Sequence, residues 1–412
     1  MKAVVFSLGC KVNSYEGQAI INLLEQRGYD VSDKPRYADI YVLNTCSVTA
    51  EADKKSRQAV ERLKKYNRNA RILVLGCSSQ NNADKYLGNQ AVTAVGGVGG
   101  KIEAVSRFLD GFDGNYGNDL PLEYEDNLFP AATKTRGYIK VQDGCNNFCS
   151  YCRIPYLRGR SRSRKIESIV QEAFAVAEHS KEIILTGINV SDYHDGDKGL
   201  TELVLALKDV PCRKRLSSLE CEVVDERLLD ALKTSGFCDH FHLSLQSGCT
   251  DVLNKMNRHY TAEEYLRKVE LIYSVFPCAA ITTDMIAGFP TETESDHLAG
   301  IETAKRANFA AIHVFPYSER EGTNAIKLPQ IPKCERSRRA AQIAELGAKL
   351  KQNFINKNLG REALVYAETQ KDGLSVGFTS NYIKVYSPIK VGEMGLVKLV
   401  EPYLDGIKGE LV

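Results

Sequence analysis

The sequence predicts a multidomain α/β protein made of three units: a parallel-sheet domain, an incomplete β/α barrel and a small β-barrel. Three observations predict it. At 412 residues the chain exceeds what one hydrophobic core organises. Two separate series of short apolar runs alternate with helical patterns, the signature of parallel sheets. Beyond them the helical period gives way to short alternating runs broken by Gly and Pro.

The first series holds three strand-like runs, "AVVFSLGC" (3–10), "DIYVLNTC" (39–46) and "RILVLGC" (71–77), each ending in a cysteine. Helical patterns at 16–28 and 51–66 separate them. Continuously apolar strands predict a parallel, Rossmann-like sheet covered on both faces, spanning 1–112. Residues 110–135 mix Gly, Asn, Asp and Pro without a sustained period and predict a linker. Six further candidate strands follow at 137–144, 182–187, 215–220, 240–248, 279–288 and 310–318, within a second domain of 131–350. Six β/α units fall short of a closed eight-fold barrel, so an open, partial (β/α)6 TIM-type barrel is expected. A charged helix over 334–355 leads out of it, and 351–412 predicts the small β-barrel.

Composition sets bounds. The chain is 43% hydrophobic and 26% charged, with a net charge of +2 that neither demands nor excludes a nucleic-acid partner. No stretch approaches the ~18 apolar residues of a membrane span, and Met1–Gly9 is too short for a signal peptide. A cytoplasmic protein that does not engage membranes is therefore expected. Twelve cysteines are many for a reducing compartment and divide among metal ligands, catalytic thiols and buried structural thiols.

The strongest local signal is "GCNNFCSYCRIPYLRGRSRSR" (144–164), where Cys145, Cys149 and Cys152 form a C-x3-C-x2-C loop after the first barrel strand. Structural zinc usually takes four ligands in paired C-x2-C elements, and no second pair is present. Three thiolates on one short loop suit a cubane iron–sulfur cluster with one iron left without a protein ligand. In the first domain, Cys10, Cys46 and Cys77 stand at the carboxyl ends of successive strands, where side chains of a parallel sheet gather.

The 145–152 loop, with Tyr151 before its last cysteine and the "RIPYLRGRSRSR" tail, resembles the methylthiotransferase branch of the radical S-adenosylmethionine (SAM) superfamily. The resemblance implies that the first cluster's open iron binds SAM and that reduction yields a 5′-deoxyadenosyl radical. It also implies that Cys10, Cys46 and Cys77 hold a second, auxiliary 4Fe-4S cluster carrying the sulfur to be inserted. The barrel is then a radical SAM barrel. The C-terminal unit resembles a TRAM domain, an RNA-binding module, through "GFTSNYIKV" (377–385). One departure is Arg153 directly after the third cysteine, where the family more often has an aliphatic residue.

Polar residues at the other barrel strand ends are candidates for holding SAM: Thr186, Gly187, Asn189, Glu220, Ser244, Gln246 and Asp284, beside Tyr151. Hydrogen bonding within the barrel is the simpler role for each. Arg158, Arg160, Arg162 and Arg164 beside the first cluster are candidates to clamp RNA phosphates, although such runs are usually solvated surface. Phe378, Tyr382 and Lys384 are candidate RNA contacts on the small barrel. "GGVGGKIE" (96–103) lacks the first Gly and the Ser/Thr of a phosphate loop and reads as a turn entering a helix. Cys212, Cys221, Cys238, Cys249, Cys278 and Cys334 share no ligand spacing and read as structural thiols.

By resemblance, "LGCKVN" and "GCNNFCSYC" are most like the enzymes that act on threonylcarbamoyladenosine at position 37 of tRNA. The isopentenyladenosine branch typically has Gln-Met, and the ribosomal-protein branch Pro-Lys, where this chain has Lys11 and Val12. The expected partners are tRNA, an electron donor such as flavodoxin or ferredoxin, and a sulfur source, with the chain a monomer or weak dimer. The alternatives are methylthiotransferases of the other two substrates, and a noncatalytic iron–sulfur protein that binds RNA or senses redox state.

Overall fold

The structure is a computed structural model that describes residues 1–117, 119–126 and 136–412. The expected domain start at residue 131 and the end of the expected linker lie outside the described residues.

The first unit is a six-stranded parallel sheet. Its strands Lys2–Ser7, Asp30–Ser32, Ile40–Thr45, Arg71–Gly76, Ala94–Val95 and Gly114–Asn115 lie in the spatial order 2-1-3-4-5-6. Helices Lys11–Gln26 and Lys101–Leu109 cover one face through Ile20, Leu24, Val105 and Phe108. Helices Ala50–Lys64 and Cys77–Leu87 cover the other through Val60, Leu63, Ala83 and Tyr86. Both faces are dry, which is why the strands are continuously apolar rather than alternating. The sixth strand comes from the expected linker, and Tyr124, further along it, donates its hydroxyl to the Lys140 carbonyl at 2.6 Å. This stretch therefore binds the first two units together.

The first helix begins at Lys11, five residues before the pattern at 16–28, because Cys10 acts as its N-cap and the Ser14 amide bonds the Cys10 carbonyl at 3.1 Å. Val12 and Tyr15 carry the buried stripe of Ala19, Ile20 and Leu24 into that turn, but they stand among the polar Lys11, Asn13 and Ser14, so the pattern at 16–28 starts too late. Lys101, the lysine of "GGVGGKIE", starts a helix and points inward, its ammonium paired with Glu16.

The second unit is an open barrel of six parallel strand positions. Arg136–Lys140, Glu182–Thr186 and Arg213–Leu216 form one ladder. After a break at Ser217, Ser218–Leu219, His240–Leu243, Ala280–Ala287 and Ala311–Pro316 form the next. The first and sixth positions stay unpaired with each other, so the barrel is open along one side. Its core is one continuous apolar cluster running from Ile139 to Leu350. A helix over Lys333–Asn358 leads to a closed five-stranded barrel, Glu362–Leu411, the architecture expected of a TRAM domain. The predicted α/β fold class is the observed one. No helix among the described residues is long and apolar enough to cross a membrane.

The small barrel plugs the amino end of the large one. Buried Glu182 holds Arg136, Arg213 and Arg215 at 3.1, 2.5 and 3.1 Å. Arg215 donates on to the Ser380 carbonyl at 2.8 Å. Tyr382 stacks between His240 and Phe378, both ring pairs 4.7 Å apart, while Arg136 lies over Phe378. Lys384 pairs with Asp405 at 2.9 Å. Phe378 and Tyr382 thus take part in docking the two barrels through their ring faces, while Lys384 is paired within the small barrel itself.

Candidate active site

Two groups of cysteines meet where the first unit covers the carboxyl end of the barrel. The loop after the first barrel strand turns at Phe148, whose φ of 46° is left-handed, and this reversal sets Cys149 back toward Cys145. Arg160 lies over the Phe148 ring at 4.4 Å and covers the turn. Each of the three sulfurs receives one N–H: Asn147 to Cys145 at 3.5 Å, Ile154 to Cys152 at 3.4 Å and the Arg258 guanidinium to Cys149 at 3.5 Å. Burial pushes the Cys145 thiol up to about 11 and the Cys152 thiol up to about 12, and neighbouring cysteine sulfurs add to both shifts. Left as thiols they stay protonated, so a bound metal centre must supply the charge that ionises them.

The second group is assembled from three separate turns. Cys46 follows the third strand directly, Cys77 opens the helix after the fourth, and Cys10 stands three residues past the end of the first. The reading that each strand ends in a cysteine therefore holds only approximately, since the first strand stops at Ser7. Glycines draw the turns together. A Cβ on Gly9 would lie 2.4 Å from the Cys46 Sγ, and one on Gly76 would lie 2.6 Å from the Thr45 carbonyl; both φ values are positive, at 95° and 104°. Ser56 then clamps Cys46, accepting from its amide at 3.2 Å and donating to its carbonyl at 2.9 Å. All twelve cysteines are free of disulfides.

A buried ionic network joins the two groups. Arg158, six residues after Cys152 and fully buried, donates to the Cys77 sulfur at 3.3 Å, Asn13 at 2.8 Å, both Glu16 oxygens at 3.1 and 3.2 Å, and both Asp143 oxygens at 3.0 and 3.1 Å. Lys101 and Lys140 also hold Glu16, and Lys140 and Arg162 also hold Asp143. Four cations thus face two carboxylates. The surplus positive charge abuts Cys77, which fits a site built for an anionic group on thiolates. Among the described residues no three His, Cys, Asp or Glu side chains close around one point tightly enough for a single metal ion. A cubane, by contrast, places each cysteine sulfur on a different iron, so its ligands stand further apart.

This network corrects the reading of the arginine run. Arg158, Arg162 and Arg164 are buried, the last against Glu172 and Asp126, so they hold the protein's own carboxylates and do not face RNA. Of the four, Arg160 alone is exposed. Partners distant in sequence (Glu16, Asp143, Glu172) turned the others inward.

The strand-end polar residues divide. Glu220 stands beside the cysteine loop, accepting from Asn147 at 3.4 Å and paired with Arg258. Tyr151 packs against the apolar cluster that holds Cys249, Val252, Met256 and Phe289. Asp284, half-buried, lies 3.3 Å from His242. Gln246 holds a left-handed φ of 63°, and its amide bonds the Asp284 carbonyl at 2.9 Å. Thr186, Gly187 and Asn189 line the turn after the second barrel strand, where Gln142 accepts from the Asn189 amide at 2.8 Å and a Cβ on Gly187 would strike Gln142. Ser244 is buried, its carbonyl accepting from Tyr260 at 2.8 Å. Arg258, Asp143 and Glu16 were not among the expected site residues. Asp143 sits two residues before Cys145, a signal of proximity; Arg258 carries none, being more than a hundred residues from the loop it serves.

An open β/α barrel with three thiols on its first loop defines a radical SAM enzyme, and comparison with known proteins agrees. Residues 139–304 match the radical SAM superfamily, and residues 2–97 match the uncharacterized protein family UPF0004. The chain is 34% identical to the threonylcarbamoyladenosine tRNA methylthiotransferase MtaB of Bacillus subtilis, over 98% of this chain and 96% of that one. It is 36% identical to the protein of the same name from Aquifex aeolicus, over 93% and 96%. It is 30% identical to the tRNA-2-methylthio-N(6)-dimethylallyladenosine synthase of Thermodesulfovibrio yellowstonii, over 98% and 97%. Among solved structures, TsrM, a radical SAM methyltransferase of Kitasatospora setae, aligns with a TM-score of 0.59 at 16% identity, over 79% of this chain and 74% of that one, a likeness of fold alone. The chain belongs to the radical SAM methylthiotransferase family. It is an enzyme whose cofactors are a 4Fe-4S cluster and SAM.

Proposed function

We propose that this enzyme acts on tRNA and converts N6-threonylcarbamoyladenosine at position 37 to its 2-methylthio derivative, using two 4Fe-4S clusters. The observation that carries the reading is the contact of Arg158 with Cys77, 3.3 Å across the junction of the two units. It makes the cysteine loop and the group of Cys10, Cys46 and Cys77 neighbours, and sulfur insertion needs the C–H activating centre and the sulfur carrier at one place. The threonylcarbamoyl assignment is supported by relatives of that name aligned along nearly the whole chain.

In this reading Cys145, Cys149 and Cys152 hold the SAM-binding cluster, and Cys10, Cys46 and Cys77 the auxiliary one. Bound there, the first cluster and SAM supply one-electron chemistry, which the strong, nonpolar adenine C2–H bond requires and which acid–base groups do not provide. The protein's part is to hold and insulate. Arg258 donates to Cys149 and steadies Glu220 beside the loop, while Arg158 neutralises the facing thiolate of Cys77. Asp284, Gln246, Asn189 and Thr186 lie around the same mouth as the residues to orient SAM. Turnover in the cytoplasm draws on a reductant such as flavodoxin or ferredoxin and on a sulfur source.

Anaerobic reconstitution tests this. Wild type is expected to bind about eight irons and the Cys10→Ala, Cys46→Ala, Cys77→Ala triple variant about four, the number in one cubane cluster. Gly9→Ala is expected to lose the same iron without removing a ligand, because its Cβ would displace Cys46. With SAM, sulfide and reductant, wild type should form deoxyadenosine and methylthiolate threonylcarbamoyladenosine tRNA, whereas the triple variant should form only deoxyadenosine. Unchanged iron in the triple variant would sink the auxiliary site. Methylthiolation of dimethylallyladenosine tRNA in preference would sink the substrate.

A further inference from the structure

The base of the large barrel holds a cavity of about 550 Å³, between the starts of its strands and the small barrel. Lys11, the residue after Cys10, lines it together with His240 and His242 from one strand, His313 from another, Lys351 from the long helix and Tyr382 from the small barrel. The charges in its wall sort by partner. Arg215 is held by Glu182 and Lys384 by Asp405, the one carboxylate in the lining among the described residues. Among the described residues Lys11 and Lys351 make no hydrogen bond or ion pair. A group entering the cavity therefore meets unpaired positive charge and no unpaired negative charge. His242 joins the cavity to the mouth of the barrel through its 3.3 Å contact with Asp284.

We infer that this cavity receives the N6 substituent of the target adenosine and that the Lys11 ammonium binds the substituent's carboxylate. The inference rests on the substrate proposed above and adds the residue that selects it. An apolar alkyl substituent would strip water from Lys11 and return no partner, an uncompensated cost. A carboxylate returns a charge-assisted hydrogen bond instead. The position also suits the chemistry: Lys11 adjoins Cys10, so a purine whose C2 edge faces the auxiliary cysteines can turn its substituent into the barrel.

The test is equilibrium binding of anticodon stem–loops to full-length protein. The RNAs carry threonylcarbamoyladenosine, its methyl ester, or dimethylallyladenosine. Wild type should prefer the free acid. Lys11→Met should weaken binding of the free acid roughly ten- to hundredfold while changing the ester by no more than about twofold, the scale of one hydrogen bond to a charged group. Lys11→Arg should restore most of the preference. Equal loss on all three RNAs would mark Lys11 as a general RNA contact and overturn the assignment. So would an unchanged preference in Lys11→Met, or its loss from Lys351→Met alone. Failure of the substrate reading is separate and shows in wild type, as absence of methylthiolated threonylcarbamoyladenosine.

Discussion

Glu16→Gln is expected to lower the stability of the protein by about 3–5 kcal/mol, the cost of leaving buried charge without its partner. Glu16 lies on the first helix, is 9% exposed, and meets Arg158 at 3.1 Å and Lys140 at 3.0 Å as well as Lys101. With glutamine in its place, Asp143 alone would hold Arg158, Lys140 and Arg162, and Lys101 would lose its carboxylate partner. The shape is kept, so the loss would report charge and not packing. Burial opposes ionisation of Glu16, but Arg158, Lys101 and Lys140 overcome it and hold its carboxyl well below the usual carboxylate range. A depressed carboxyl stabilises the fold above its unfolded pKa of about 4.3, and that contribution fades as the pH falls through the folded value. The gap between wild type and Glu16→Gln in urea midpoint should thus be full at neutral pH and should narrow in acid. A midpoint at pH 7 indistinguishable from wild type would show that the network contributes nothing net.

Cys149→Ala is expected to abolish deoxyadenosine formation to below detection while leaving the fold intact. Cys149 is the middle cysteine of the loop, a ligand in the proposed reading, and its sulfur receives the Arg258 guanidinium. Two thiolates hold a cubane poorly, and without the cluster there is no electron path to SAM. The side chain is small and stands at the barrel mouth, apart from the apolar cluster that forms the barrel core, so circular dichroism and the urea midpoint should change little. Anaerobic iron content should fall by the share of one cluster. Deoxyadenosine at a wild-type rate from the variant would remove Cys145, Cys149 and Cys152 from the chemistry altogether.

Strand periodicity, the charged helix and the C-x3-C-x2-C spacing are properties of neighbouring residues, and they were legible at once. So was the family, because its loop motifs are contiguous. The start of the first helix was not, since its N-cap is a cysteine rather than a usual capping residue and its first turn sets Val12 and Tyr15 among Lys11, Asn13 and Ser14. The second cysteine group was only half legible. Three "C" endings suggested convergence, but the glycines that let the turns touch act through backbone contacts between strands thirty residues apart.

The arginine run marks the boundary most clearly. "RGRSRSR" has one pattern on paper, yet Arg160 lies on a ring at the surface while Arg158, Arg162 and Arg164 are buried on carboxylates. The same holds for Phe378 and Tyr382, whose aromatic faces meet His240 and Arg136 and so join two barrels. Local spacing is enough to single out the cysteine loop as a candidate cluster site, because Cys145, Cys149 and Cys152 lie within eight residues of each other. Which side a long charged or aromatic side chain faces depends on partners brought near by folding. That is settled by desolvation and pairing in three dimensions.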